Sequence, residues 1–303
     1  MISIIIPVYN AGQKLELMLT SIQYQSYTDW ELVLVDDGSS DETSRICDIA
    51  CSKDSRIICI HQKNSGVSAA RNRGMNIAKG EYITFLDADD WIDTNYLEEL
   101  IIACMNADIA ICDMVVEKGG EELQRFTLEN CILTQKQGLD YLLTRKGISS
   151  GPVAKLFRKN IVKEVKFPSL CYYEDILFIR DVFCFADRIA ITNKTSYHYI
   201  VNEEGAMSGV MSKGLEDVIF ATDNLLDFLK KHKELSSECC YITISHLMQY
   251  ALNAIEYPTD EGRKFISTVK NIFRKHLKEI IKCKSFPIKE KIVYALFSIG
   301  VLY

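Results

Sequence analysis

The sequence predicts an α/β fold: a mostly parallel central sheet flanked by helices, followed by a helical C-terminal region. Three observations carry that expectation. Short apolar, β-branched runs alternate with segments of helical spacing. The runs are apolar along their whole length, as strands covered on both faces are. Each run ends in polar groups, at the edge where open parallel sheets bind their ligands.

In chain order, Ile2-Ser3-Ile4-Ile5-Ile6-Pro7-Val8 reads as the first buried strand. Lys14 to Gln25 has Leu15, Leu19 and Ile22 on one helical stripe. Glu31 to Val35 is a second strand ending in Asp36-Asp37-Gly38, and a helix starts at Ser40 or Asp41 and runs to about Ser52. Arg56 to His61 gives a third strand, Ser68 to Ala78 a helix, and Tyr82 to Leu86 a fourth strand. Beyond Lys213, Leu215 to Lys233 and Ser237 to Ile255 have helical periodicity, interrupted by Tyr257-Pro258-Thr259-Asp260.

Composition bounds the function. A chain of 303 residues with 48% apolar content supports one large domain and a smaller one. We expect a catalytic domain over 1–212, with a ligand-binding half at 1–115 and a second half at 116–212, and a helical region over 213–303. A net charge of −6 argues against nucleic acid as a partner. Eleven cysteines without a CxxC pair fit buried thiols in a reducing compartment, and Cys47 and Cys51, at helical spacing, read as packing residues. No signal peptide and no run of about 18 apolar residues is evident. The expected location is therefore the cytoplasm.

The chemistry concentrates in Phe85-Leu86-Asp87-Ala88-Asp89-Asp90. If the strand continues this far, Asp87 and Asp89 point to one face and repel each other unless a cation lies between them. Hard oxygen donors suit magnesium or manganese, which complete their shells with water and substrate phosphate. Asp90 and Asp93 read as caps of the helix that follows. Around the same edge, Asp36 or Asp37 offers acceptors for a ribose hydroxyl or a base N–H, and Arg71 offers forked donors for a base or phosphate.

Four segments occur in order: Ile4-Ile5-Ile6-Pro7-Val8-Tyr9-Asn10, Val35-Asp36-Asp37-Gly38-Ser39-Ser40-Asp41, Asn64-Ser65-Gly66-Val67-Ser68-Ala69-Ala70-Arg71-Asn72-Arg73-Gly74, and the Asp87 segment. Together they resemble family-2 glycosyltransferases with the GT-A fold, closely over 1–115 and more loosely over 150–210. The resemblance implies a nucleotide-sugar donor, often UDP-linked, a divalent cation (manganese or magnesium), and inversion at the anomeric carbon. It implies that Pro7 and Tyr9 line the nucleotide pocket, that Asp37 holds the base with Asn64 and Arg71, and that Asp36 is close by. Asp87 and Ala88 would face the donor and Asp89 the metal, with Asp87 as its partner ligand. Tyr172-Tyr173-Glu174-Asp175 resembles the family's Glu-Asp motif and makes Asp175 the expected general base, with Glu174 second. The alternative for this pair is a pair of helix N-terminal carboxylates favoured by the macrodipole.

Gly151 to Arg158 resembles an acceptor-side segment, in which Lys155 is a candidate phosphate ligand. Relatives often carry Arg after the aromatics of Tyr197-His198-Tyr199; here that position is Ile200, and Ser208 or His198 are the candidate replacements. Expected partners are a nucleotide-sugar donor and a glycan or lipid-linked saccharide acceptor of cell-surface polysaccharide synthesis, with homo-oligomerisation open. From Arg263 to Lys291, ten basic residues stand against two acidic ones, ahead of an apolar tail. That segment either lies on the inner face of an anionic membrane or packs Ile292 and Leu296 as a cap on the catalytic domain. Two other classes stay open: a sugar nucleotidyltransferase, which would want a Gly- and Lys-rich loop where Asn10-Ala11-Gly12-Gln13-Lys14 stands, and a non-catalytic nucleotide-sugar-binding assembly partner.

Overall fold

The computed structural model describes residues 1–202, 214–256 and 259–301. Its strands are β1 (Ile2–Val8), β2 (Trp30–Asp36), β3 (Ile57–His61), β4 (Tyr82–Phe85), β5 (Trp91–Ile92), β6 (Ile109–Lys118), β7 (Glu121–Phe126), β8 (Cys131–Thr134), β9 (Lys155–Arg158) and β10 (Arg188–Ile200). The helices between them are α1 (Lys14–Gln23), α2 (Thr43–Lys53), α3 (Val67–Ile77), α4 (Tyr96–Cys104), α5 (Gln135–Leu143), α6 (Lys159–Val162) and α7 (Glu174–Phe183). The strands form one sheet in the order β3-β2-β1-β4-β9-β6-β10-β5, with β7 on β6 and β8 on β10.

β1, β2, β3 and β4 pair in parallel, and β9 runs antiparallel between β4 and β6. β6 therefore points the same way as β4, and β10 pairs with β6 in parallel. The C-terminal ends of six strands thus share one edge of the sheet. β2 is buried along all seven residues and β1 nearly so, as expected for strands covered on both faces. α1 fills one side with Leu15, Met18, Leu19 and Ile22.

On the other face, rings from separate elements form a layer. Phe85 of β4 meets Phe157 of β9, Phe178 of α7 and Phe167 edge-on, at centroid distances of 6.1, 5.8 and 5.4 Å, and Phe167 stacks on Phe178 at 3.6 Å. This layer fixes the start of α7 relative to the end of β4.

The described residues of Met1–Gly138 and Gly147–Gly205 form one compact unit, and those of Leu139–Lys146 and Ala206–Tyr303 form another. The second contains α8 (Leu215–Lys231), α9 (Ser237–Glu256), α10 (Asp260–Lys275), α11 (Leu277–Lys282) and α12 (Ile288–Ser298). Thr259 caps α10 by accepting from the Gly262 amide at 3.0 Å. Tyr294 and Phe297 of α12 pack edge-on against Phe273 of α10. Of the two residues that a cap would turn inward, Ile292 is exposed and Leu296 is half-buried. The inward stripe of α12 carries Tyr294, Phe297 and Ser298 instead. Among the described residues, no helix is long and apolar enough to cross a membrane.

α3 approaches β1 closely because Gly74 lacks a side chain: a Cβ there would lie 2.4 Å from Ile5 Cγ2. Gly74→Ala forces Ile5 out of a filled core, so we expect a loss of about 1–3 kcal/mol, read as a lowered denaturant midpoint at unchanged m-value.

Candidate active site

At the shared edge, one guanidinium gathers three carboxylates. Arg71 projects from α3 and is buried. Its Nη1 donates to Asp175 Oδ1 at 2.8 Å and to Glu174 Oε1 at 3.2 Å, while Nη2 donates to Asp87 Oδ1 at 3.0 Å. The Phe167 ring lies 5.3 Å beneath it. The partners come from the turn after β4 and the first residues of α7, 16 and 103–104 positions away in sequence. Tyr173, just before α7, holds the left-handed φ of 65°, and Ala154, just before Lys155, holds 59°. Non-glycine residues in that region are costly, and both adjoin the site.

Desolvation works against the Arg71 charge, and Asp175, Asp87 and Glu174 outweigh it, so its pKa is raised. Burial raises the pKa of Asp175, against the pull of Arg71 and with the push of Asp87. Glu174 is raised by burial and by Asp175. With every group ionised, one guanidinium would not compensate three carboxylates, and the raised Glu174 and Asp175 values reflect that imbalance.

β4 ends at Phe85, so Asp87 to Asp90 form a turn, not the strand end assumed from the sequence. Asp89 is half-buried and its Oδ2 accepts from Asn202 Nδ2 at 2.6 Å; Asn202 Oδ1 in turn accepts from Lys14 Nζ at 3.1 Å. Burial and then repulsion from Asp87 raise the Asp89 pKa. Two repelling carboxylates with only hard oxygen atoms to offer fit magnesium or manganese.

Asp90 and Asp93 are not helix caps. Asp90 is buried, accepts from Tyr197 Oη and from the Ile200 amide at 2.8 Å, and has its pKa raised by burial and by Asp87. Asp93 accepts from the Ser196 amide at 2.8 Å and lies 3.1 Å from His198 Nε2. Both carboxylates tie the Asp87 turn to β10.

The other expected residues divide into two groups. Tyr9 and Asn64 are exposed at the rim, Pro7 is half-buried, and Ala88 is buried. Asp37 is held by Gln62 Nε2 and by the amides of Ser65 and Gly66 at 2.8–2.9 Å. Asp36 turns away from the rim: it accepts from the Ser39 amide, Ser44 Oγ and His61 Nδ1. Arg71, expected to help Asp37 and Asn64 hold the base, instead bridges the carboxylates of Asp87, Glu174 and Asp175.

Lys155 and His198 do not present free donors to a phosphate. Lys155 is fully buried, and its Nζ donates to Ser149 O, Ser149 Oγ, Gly151 O and Val153 O at 2.7–3.2 Å. Burial pulls its pKa down to about 7, against the pull of Cys112 and Asp175. It organises the loop whose Gly151 faces Asp175 Oδ2. His198 stacks on Trp91 at 3.5 Å, and its Nδ1 and Nε2 are taken by Glu117 and Asp93. Ser208 lies outside the described residues. Sequence reasoning missed Asn202, Lys14 and the Tyr197 hydroxyl, which accepts from the Asp87 amide at 3.1 Å. A polar residue two positions past Ile200 was the available signal for Asn202.

A model of the family described as Glycosyl transferase family 2 matches residues 3–165. The chain belongs to that family. Glycosyltransferase GlyG of Streptococcus pneumoniae is 31% identical over 76% of this chain and 79% of its own length. Putative glycosyltransferase EpsH of Bacillus subtilis is 27% identical over 89% of this chain and 81% of its own. Glycosyltransferase GlyA of S. pneumoniae is 32% identical over 70% of this chain, which spans only 32% of GlyA. Among solved structures, S. aureus TarS 1–349 in complex with UDP-GlcNAc superposes with a TM-score of 0.78 at 21% identity, covering 98% of this chain and 86% of that one. The mannosyltransferase PcManGT from Pyrobaculum calidifontis, solved with GDP-Man and Mn2+, gives a TM-score of 0.53 at 14% identity, covering 100% and 80%. The fold is GT-A, and the family is one of sugar transfer rather than nucleotidyl transfer.

Replacing Arg71 by Met leaves three carboxylates facing each other in a buried site. We expect a loss of about 3–5 kcal/mol near neutral pH. Without the guanidinium, the folded-state pKa values of Glu174 and Asp175 rise further above their unfolded values. The folded state then binds protons that the unfolded state does not, so the deficit grows with rising pH and shrinks in acid. Urea unfolding of parent and variant at about pH 5 and about pH 8 reads this directly.

Proposed function

We propose that this family-2 glycosyltransferase moves a sugar from a UDP-linked donor to a hydroxyl of a cell-surface glycan or lipid-linked saccharide, with inversion at the anomeric carbon. The observation that carries the reading is the Arg71 bridge, which sets the Asp87–Asp89 turn beside Glu174 and Asp175. The UDP-sugar in the TarS structure and the teichoic acid role in the name of B. subtilis GgaB, 25% identical over 89% of this chain, support the donor and acceptor classes.

Asp89, with Asp87, would hold magnesium or manganese, which when bound neutralises charge developing on the leaving diphosphate. Asp175 accepts the proton of the acceptor hydroxyl as that oxygen forms its bond to the anomeric carbon and the bond to the diphosphate breaks. Attack opposite the leaving group gives inversion. Arg71 keeps Asp175 aimed and opposes the effect of burial on its pKa, Glu174 shares that guanidinium, and Tyr197 fixes the backbone of Asp87. Pro7, Tyr9, Asp37 and Asn64 would receive the nucleotide, with Asp36 shaping the turn behind them.

Incubating the pure chain with UDP-, GDP- and dTDP-sugars, manganese and a glycan acceptor panel, and measuring released nucleotide, tests the reading. Asp175→Asn should bind UDP normally and lose about 10²–10⁴-fold in kcat; undiminished turnover removes Asp175 from the base role. Asp89→Asn should lose manganese-dependent UDP binding. Because burial raises the Asp175 pKa, kcat/KM should fall with falling pH along a limb above the ordinary carboxylate range.

α12 exposes Ile288, Ile292 and Val293 beside Lys289 and Lys291. A membrane-borne acceptor would be met by this face, and the chain should sediment with anionic but not neutral vesicles. Equal recovery with both removes the membrane contact.

A further inference from the structure

Behind the donor rim, α2 and β3 bring together a second set of ligand atoms. Cys59 and His61 occupy alternate positions of β3 and so share a face. Asp48 reaches them from α2. One donor atom from each of Asp48, Cys59 and His61 lies within 4.8 Å of the other two. His61 Nε2 is 3.1 Å from Asp48 Oδ1 and 3.6 Å from Cys59 Sγ. Ligands of a tetrahedral zinc ion, at about 2.0–2.3 Å from the metal, stand roughly 3.3–3.7 Å apart. The two distances from His61 Nε2 are within a few tenths of an ångström of that spacing, and Asp48 and Cys59 are close enough to close the third side around an ion.

The surroundings of His61 favour the same use. Its Nδ1 donates to Asp36 Oδ2 at 2.7 Å, and Asp36 is locked in turn by Ser44 Oγ and the Ser39 amide. A carboxylate on one imidazole nitrogen fixes the tautomer and leaves the other to a metal. The Asp36 side chain is 2% exposed while those of His61 and Asp48 are 45% and 69% exposed, so the supporting carboxylate is internal while His61 and Asp48 are open to solvent and Cys59 is half-buried. Nitrogen, sulfur and one carboxylate oxygen select zinc over the magnesium or manganese suited to Asp87 and Asp89.

We propose that Asp48, Cys59 and His61 bind a zinc ion, with water in the fourth position, separate from the cation of the donor site. Binding forms bonds to His61 Nε2, Cys59 Sγ and Asp48 Oδ1, and the thiol and imidazolium protons leave to buffer. The ion joins α2 to the end of β3, one residue before Gln62, whose amide holds Asp37. This site does not rest on the proposed donor or acceptor.

The test uses Co2+ as a spectroscopic stand-in on the tag-free 303-residue chain carrying Asp89→Asn, which removes the donor-side cation. One equivalent of Co2+ should give a thiolate-to-cobalt charge-transfer band, bleached by one equivalent of Zn2+ and untouched by excess Mg2+. Cys59→Ser and His61→Ala should each abolish the band, and the exposed Asp48→Asn should weaken cobalt binding about tenfold or more with unchanged circular dichroism. Zn2+ should raise the melting temperature of the parent and not of Cys59→Ser. No charge-transfer band in the parent, or a band that survives both Cys59→Ser and His61→Ala, overturns the proposal.

Discussion

The structure depends on the contact between one buried guanidinium and three carboxylates. Burying Arg71 without a partner would be prohibitive, and burying Glu174 beside the half-buried Asp87 and Asp175 is costly as well. Together they are tolerated, because each Nη donor finds a charged acceptor at 2.8–3.2 Å. With all four groups ionised, the arrangement would carry an excess of negative charge. Desolvation raises the proton affinity of Glu174 and Asp175, and protons on those carboxylates relieve the imbalance.

Two features keep that contact in place. The parallel strands bring the Asp87 turn, the loop after β3 and the end of β10 to one edge. The layer of Phe85, Phe157, Phe167 and Phe178 then sets the distance from β4 to α7, so that carboxylates remote in sequence meet Arg71. Around them, Asp90, Asp93 and Tyr197 bind the turn to β10, and Lys155 gathers four oxygens of the loop beside Asp175. The polar groups nearest the reacting centre are mostly occupied with one another, which is how such a site is held rigid.

The first half of the chain was legible because its strands are buried on both faces. Uninterrupted apolar runs such as Ile2–Val8 leave little ambiguity, and each parallel strand end exposes its polar residues by topology. Between residues 91 and 200 that signal is uneven: β6 and the start of β10 carry buried apolar runs, but other elements do not. β7 is exposed, β9 is four residues long, and neither carries an apolar pattern. The turn into α7 uses Tyr173 in a left-handed conformation, where a glycine would have been the readable sign. The motif around Arg71 was visible, but its partners lie 103 and 104 residues on, and no local pattern reports such a meeting. Lys155 and His198 misled for one reason: a long polar side chain in a motif looks like a ligand until its burial and partners are known. Cys59 and His61 passed unnoticed because a metal set split between a helix and a strand has no fixed spacing.

A double-mutant cycle between Asp87→Asn and Asp175→Asn, measured by denaturant unfolding with Arg71 present and again with Arg71→Met, tests the central claim most directly. Both carboxylates engage the same guanidinium, so their effects should be non-additive by about 1 kcal/mol or more with Arg71 present, and that coupling should change markedly once it is gone. Effects that add within about 0.3–0.5 kcal/mol in both backgrounds would contradict the account, because Arg71 would then not join the two halves of the site.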